Sequence, residues 1–496
     1  MRVYSSKTII FEEKKKLFNS ILIFLVQKKI LFNYSSNNLY FKMPRIGDMI
    51  INLNGKEYFY KIVENEKFSQ KKNIEYRNYE TITEERNKTL KKYLEIKKKK
   101  NEYTDDIIND LLNKLEIQIK NKDNSESDIF YEIIENNDNK SPLFKEIYEG
   151  IKSSKKYKIK EIIDAFEKIE FENIELENLD KKYLIKLYCF NFIAFNYREN
   201  ELKEKNPSFN KKNYIQNIIN KELNNCPVNA LRKKEYKLKL LYDKPDLFSY
   251  IFLEKGIGLN NPDFLMELKK LRDENKKEKN TRRFQIALQH IMKQIQIGLF
   301  LFHHLSKFAF LYHKDLKIHN IFVMNYELNK EDNADKIYEK ILNATFKIID
   351  FDLTKQFDNH IIYNYYDPDK EEMFEIGEIL WELITGESFY KIVDGKKILN
   401  NKLKREYYLC ENIIDFLHQS LLLEEKYRIN CDSGFIHPFI SEDEKQFDND
   451  KILNFDNINN YNLNYDKTEF LLPVSQPFFV LNPGNYDIVV HFSEEF

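Results

Sequence analysis

Glycine is scarce in this sequence: eleven in 496 residues, roughly a third of what average usage at about 7% would supply. Loops that depend on glycine are therefore rare, and no Gly-x-Gly-x-x-Gly occurs before residue 313. A phosphate cradle lined by closely approaching backbone N–H groups is thus not encoded in its usual form. Cysteine is scarce too. Cys189, Cys226, Cys410 and Cys431 are scattered, with no C-x-x-C and no metal-ligand spacing, which excludes a disulfide framework and leaves a reduced, cytoplasmic compartment with the cysteines as packing residues. Net charge is nearly absent: 79 Lys+Arg against 80 Asp+Glu give −1, so no global field selects nucleic acid or an anionic membrane as partner. Long apolar runs are missing as well. Leu17–Val26 is interrupted by Asn19 and Ser20 and falls short of the ~20 residues that span a bilayer. Glu12 and Glu13 argue against a signal or transit peptide, so no membrane span is expected.

Lys, Asn, Ile, Tyr and Phe are abundant, and Asn-rich stretches such as 136–139 and 457–464 read as solvated loops. In Ile50–Val63, IINLNGKEYFYKIV, the Asn54-Gly55 pair lies between two β-prone runs and accepts the positive φ of a type I′ turn. From about 80 to 175 apolar residues recur at three and four spacings, predicting charged helices with a linker over 121–141. The basic run Lys97–Lys100 has acidic neighbours and reads as a solvated helix face.

The chemistry concentrates in His313–Val323, HKDLKIHNIFV. Asp315, Lys317 and Asn320 share one short loop before an apolar strand-like run: a carboxylate for a hydroxyl, a cation for a transferred phosphate, and an amide oxygen for a metal. A second carboxylate, Asp350, follows in FKIIDFDL. The loop resembles the catalytic loop of eukaryotic-type protein kinases, His-Arg-Asp-Leu-Lys-x-x-Asn, with Lys314 in the arginine position, and Asp350-Phe351-Asp352 resembles Asp-Phe-Gly. The resemblance implies that Asp315 orients or deprotonates the substrate hydroxyl, that Lys317 neutralises the transferred phosphate, and that Asn320 with Asp350 holds Mg²⁺ bridging the phosphates of ATP. Asp352 replaces a glycine, and aspartate tolerates left-handed backbone better than most residues.

By the same resemblance, Leu253 guards the back of the nucleotide pocket while Glu254 and Gly256 offer backbone groups to adenine. Tyr183–Phe195 reads as small-lobe strand, with either Lys186 or Asn196 in the place of the family's phosphate-binding lysine. Gln216 or Glu222, on a helix over 214–223, stands for its glutamate partner. Arg282–Leu305 matches the central large-lobe helix, with His303 and His304 as packing or exposed residues, and 325–343 is a charged insertion. Tyr366–Asp369 is nearest to Ala-Pro-Glu, Glu372–Gly377 to Asp-x-Trp-Ser-x-Gly, and Arg428 has Asp369 as its nearest candidate partner.

The expected architecture is α+β, a two-lobed protein-kinase-like fold with a mostly helical N-terminal extension. Its parts are an N-terminal segment (1–42), a hairpin plus helical extension (43–180), a divergent small lobe (181–254), a large lobe (255–440) and a tail (441–496). The expected function is Ser/Thr-type protein kinase, taking ATP, Mg²⁺ and a protein substrate, without nucleic acid; oligomeric state is left open. The missing glycine loop, with Asn196 and Gln216 among the candidates for the strand lysine and its glutamate, motivates a second reading, a pseudokinase that binds or regulates a partner.

Overall fold

The computed structural model describes residues 46–53, 56–65, 73–100, 105–120, 157–168, 179–197, 247–277, 282–305, 309–358, 368–393, 396–400, 402–404, 409–442 and 469–471, with a few isolated positions between them. Outside them lie the 17–26 run, the Asn54-Gly55 turn, the 121–141 linker, the 214–223 segment with Gln216 and Glu222, and Tyr366. Among the described residues no helix is long and apolar enough to cross a membrane.

In chain order, β1 (Ile46–Leu53) and β2 (Lys56–Glu64) precede helices α1 (Ile74–Lys99), α2 (Asp105–Lys120), α3 (Ile159–Lys168) and α4 (Leu179–Phe190). Then come β3 (Asn196–Tyr197), β4 (Phe248–Glu254), β5 (Ile257–Gly258), α5 (Pro262–Lys277), α6 (Arg282–His303), β6 (Ala309–Tyr312) and β7 (Ile321–Met324). The next group is α7 (Ala334–Asn343), β8 (Thr345–Ile348), β9 (Lys355–Asp358), α8 (Pro368–Thr385), β10 (Tyr390–Val393), β11 (Lys396–Leu399) and β12 (Lys402–Lys404). The last are α9 (Glu411–Leu421), α10 (Cys431–Ile436), α11 (Pro438–Ser441) and β13 (Glu469–Leu471).

The first sheet is antiparallel and four-stranded, ordered β1-β2-β4-β3. Strand β2 alternates, with Tyr58, Tyr60 and Ile62 on one face and Phe59, Lys61 and Val63 on the other. Central β4, FSYIFLE, is buried along almost its whole length, as a strand paired on both sides and covered on both faces must be. The register runs from Tyr58↔Glu254 to Glu64↔Phe248. The hairpin therefore belongs to the same sheet as 248–254 and is not part of an extension ending at 180. Helix α1 is capped by Asn73, whose side chain accepts the Glu75 N–H at 2.9 Å, and it ends in Lys97–Lys99, which complement its negative end.

The strand expected over 183–195 is a helix through Phe190. Asp180, Tyr183, Leu184, Ile185, Leu187, Tyr188, Cys189 and Phe190 are all buried in α4. It packs against α1, α3 and α6. A helix covered nearly all round loses its amphipathic period, and a short apolar run rich in aromatics then resembles a strand. Lys97 and Lys100 do not lie on a solvated face: their ammoniums reach the Asp180 carboxylate at 2.9 and 2.8 Å, with Lys97 buried.

Beyond α4 the chain crosses to β8. Ala194 N–H donates to Ile348 O and Ile348 N–H to Phe192 O, both at 3.0 Å. Gly298 of α6 is where this crossing presses closest, since a Cβ there would stand 2.8 Å from the Phe192 carbonyl oxygen. The buried α6 runs beneath the β5-β7-β8 sheet. The charged insertion between β7 and β8 is folded: Tyr326 Oη donates to Glu267 Oε2 at 2.6 Å, and Lys340 Nζ reaches Glu267 at 3.1 Å and Asp332 at 2.9 Å. Strand β13 brings the tail back against β12.

Candidate active site

The loop after β6 holds the polar cluster. His313 is fully buried, and its Nε2 donates to the Ile349 carbonyl at 2.8 Å. Lys314 adopts φ 65, a left-handed conformation that costs a non-glycine residue roughly 1–2 kcal/mol. Two carboxylates of α8 hold the strained turn: Glu372 Oε1 accepts the Lys314 N–H and Glu375 Oε2 the Leu316 N–H, each at 3.1 Å. Burial, with Glu372 close by, holds the Glu375 carboxyl well above the usual carboxylate range. The Lys314 ammonium pairs with Glu371.

Asp315, Lys317 and Asn320 are brought together. Lys317 Nζ lies 2.6 and 2.8 Å from the two Asp315 oxygens. Asn320 Nδ2 donates to the Asp315 carbonyl at 2.7 Å and to Oδ2 at 3.2 Å, which leaves its amide oxygen as the end suited to a hard cation. Carboxylate oxygens of Asp315, Asp350 and Asp352 lie within 4.8 Å of one another. With Asn320 they form an all-oxygen donor set of the kind Mg²⁺ takes. The left-handed residue here is Asp350, at φ 70, not Asp352, which sits in a 3-10 turn over Phe351–Leu353. The Asp350 N–H donates to Tyr79 Oη at 3.1 Å, so the first sheet's helix fixes the strained aspartate.

A residue outside the expected set completes the cluster. Lys61 Nζ lies 2.6 Å from Glu75 Oε2 and 2.7 Å from Asp350 Oδ1, with every partner's side chain at most 7% exposed. Burial raises the Glu75 carboxyl to about 7 against the pull of Lys61. Phe351 locks the arrangement. Its ring meets Tyr79 at 5.1 Å, His313 at 5.1 Å and Phe302 at 4.8 Å, and its carbonyl accepts Asn78 Nδ2 at 2.8 Å. Lys186, expected on a strand, lies on α4 with its ammonium 5.7 Å from the Phe166 ring centre. Asn196 is in edge strand β3, paired with Leu253. Lys186 is thus carried by a helix and not by a strand, and the strand that carries the cluster's lysine lies upstream of the helices. The signal was present in the alternation around Lys61 and in Glu75 fourteen residues on, in the first turn of a capped helix.

Glu254 and Gly256 lie where β4 leaves the first sheet. Glu254 Oε2 is 3.6 Å from Lys347 Nζ, whose buried ammonium is held below the usual lysine range by burial. Gly256 packs directly on β7: a Cβ would stand 2.7 Å from both Met324 Sδ and Phe322 Cβ. On the face of β2 that carries Lys61, the Phe59 ring meets Phe322 edge-on, 5.8 Å between centres. A planar ring seated between flanking walls needs them roughly 7 Å apart, twice the optimal carbon–carbon contact of about 3.5 Å. The two phenylalanines therefore bridge the space beside Glu254 and Gly256.

His303 is a positioned residue and not packing alone, since its Nε2 donates to Glu372 Oε2 at 2.6 Å. The Arg428 guanidinium donates to the carbonyls of Leu422 and Lys370, each at 2.9 Å, and stacks 4.7 Å over Phe374. Asp369, the nearest candidate partner in the sequence, accepts the Cys431 N–H at 3.0 Å.

No family model and no curated protein matches this sequence. Among solved structures, part of the chain is similar to the Rad53 kinase domain and SCD2 in complex with AMPPNP, at 17% identity and a TM-score of 0.26, over 39% of this chain and 69% of that one. A second structure of the Rad53 kinase domain and SCD2 is similar at 16% identity and a TM-score of 0.24, over 39% and 67%.

Proposed function

We propose that this chain is a divergent protein kinase that transfers the γ-phosphoryl group of ATP to a protein hydroxyl. The observation that carries the reading is Lys61, which joins Glu75 to Asp350 and so adds a buried cation beside the loop. Phosphoryl transfer is largely positioning plus charge stabilisation, and each part has a residue. Asp315 accepts the proton of the attacking hydroxyl. Lys317, bonded to Asp315, stabilises charge on the transferred group. Lys61 faces the α and β phosphates, with Glu75 fixing its direction. Asn320 and Asp350 would hold Mg²⁺, which when bound neutralises charge between the phosphates. Lys317 favours a Ser/Thr substrate.

A phosphotransfer assay with Mg²⁺ and labelled ATP tests this. Wild type labels itself or a generic protein substrate, and Asp315→Asn loses at least about 10²-fold, the usual worth of a positioned base. Equal activity in the variant removes the mechanism.

The second reading is a pseudokinase scaffold, and the Phe59–Phe322 contact favours it. Two rings in edge-on contact, 5.8 Å between centres, stand closer than a planar ring sandwiched between them would require. Absence of any Mg·ATP-dependent thermal shift at millimolar nucleotide selects this reading, because a ligand that binds only the folded state must raise its stability.

A further inference from the structure

The cysteines read as isolated in the sequence, but the fold gives one of them company. His303 at the end of α6, Asp369 in the first turn of α8 and Cys431 at the first position of α10 present ligand atoms that all lie within 4.8 Å of one another. We propose that these residues form a site for a thiophilic divalent cation of the Zn²⁺ type, separate from the phosphotransfer cluster. The proposal does not depend on whether the chain transfers phosphate.

The donor set is one imidazole nitrogen, one thiolate and one carboxylate oxygen. This combination suits Zn²⁺, whereas Mg²⁺ prefers all-oxygen sites such as the one around Asp350. Three protein ligands leave a fourth position for water. The surroundings fit as well. Glu372 accepts the His303 Nε2–H at 2.6 Å, the carboxylate–imidazole contact that commonly orients a metal-bound histidine and raises its basicity. Asp369 is held in place by the Cys431 N–H at 3.0 Å, and its own carbonyl oxygen lies 3.4 Å from Cys431 Sγ. His303 and Cys431 are each only 4% exposed, while Asp369 is half-buried and opens the cluster to solvent.

The bound ion would tie α6 and α10 to the first turn of α8, next to Glu371, Glu372 and Glu375, which hold the 313–317 turn.

The test uses the full chain purified without chelator, its metal content measured directly, followed by Co²⁺ titration of the metal-stripped protein. Stoichiometric zinc is expected, as is a tetrahedral Co²⁺ spectrum with a thiolate-to-cobalt charge-transfer band that Zn²⁺ displaces. Cys431→Ser should abolish the band with an unchanged circular dichroism spectrum, and Asp369→Asn should weaken Co²⁺ binding at least tenfold. Cys189→Ser and Cys410→Ser should retain the band. Zn²⁺ should raise the Tm of wild type and leave Cys431→Ser unmoved. A folded wild-type protein that gives no tetrahedral cobalt spectrum overturns the site even if Cys431→Ser proves insoluble. So does a charge-transfer band that persists in folded Cys431→Ser.

Discussion

Lys61 and Asp350, 289 residues apart in the chain, meet at 2.7 Å between buried side chains. Taking one partner from a buried ion pair leaves the others uncompensated and destabilises by about 3–5 kcal/mol. Lys61→Met should therefore lower stability by roughly that amount and abolish phosphotransfer. A Lys61→Met/Glu75→Leu double variant should recover part of the stability with activity still absent, separating the structural role of the pair from the chemical one. Lys186→Ala should leave phosphotransfer unchanged. Denaturant unfolding and the labelled-ATP assay measure both quantities.

Glu75 gives the protein a pH dependence of defined sign. Its carboxyl is raised to about 7 by burial, so between the unfolded and folded values the native state holds a proton that the unfolded chain has lost. That contribution to stability is complete below the unfolded pKa and disappears as pH rises through about 7. Unfolding free energy measured from about pH 5 to about pH 8 should fall in part through this group, and Glu75→Gln should flatten the decline. An identical pH profile in the variant would contradict the assignment.

Phe59→Ala removes one wall of the ring contact with Phe322. If the contact obstructs the base, the variant should show a larger Mg·ATP thermal shift than wild type and lower KM for ATP. An unchanged shift would mean that the obstruction lies elsewhere.

Gly298→Val places branched carbon against the Phe192 carbonyl, where even a Cβ stands at 2.8 Å. Overpacking of this kind costs typically 1–3 kcal/mol. Urea unfolding should show the loss, and because α6 and the 192–194 crossing are not part of the ligand-bearing loop, residual activity of the folded fraction should persist.

The chemistry of the 313–323 loop was legible in the sequence because it is local. Asp315, Lys317 and Asn320 fall within one loop, and Asp350 follows β8, the partner of the strand that leaves the loop, so residue type and spacing suffice to group them. The helix α6 was legible for a related reason: its apolar spacing is long enough to outweigh ambiguity. Lys61 was not recognised, although its strand was, because nothing in a hairpin reveals which distant strand it pairs with. The register with β4 decides that. Helix α4 was misread as strand because burial on nearly every side erased its period.

The sequence by itself determined the loop His313–Val323, its carboxylate partner Asp350 and the shortage of glycine, since these are matters of residue identity and short-range spacing. Tertiary structure alone decided that Lys61 joins Glu75 to Asp350, that Phe59 meets Phe322, and that Cys431 lies beside His303 and Asp369. Each of these depends on elements that are far apart in the chain and that long-range strand pairing and helix packing bring together.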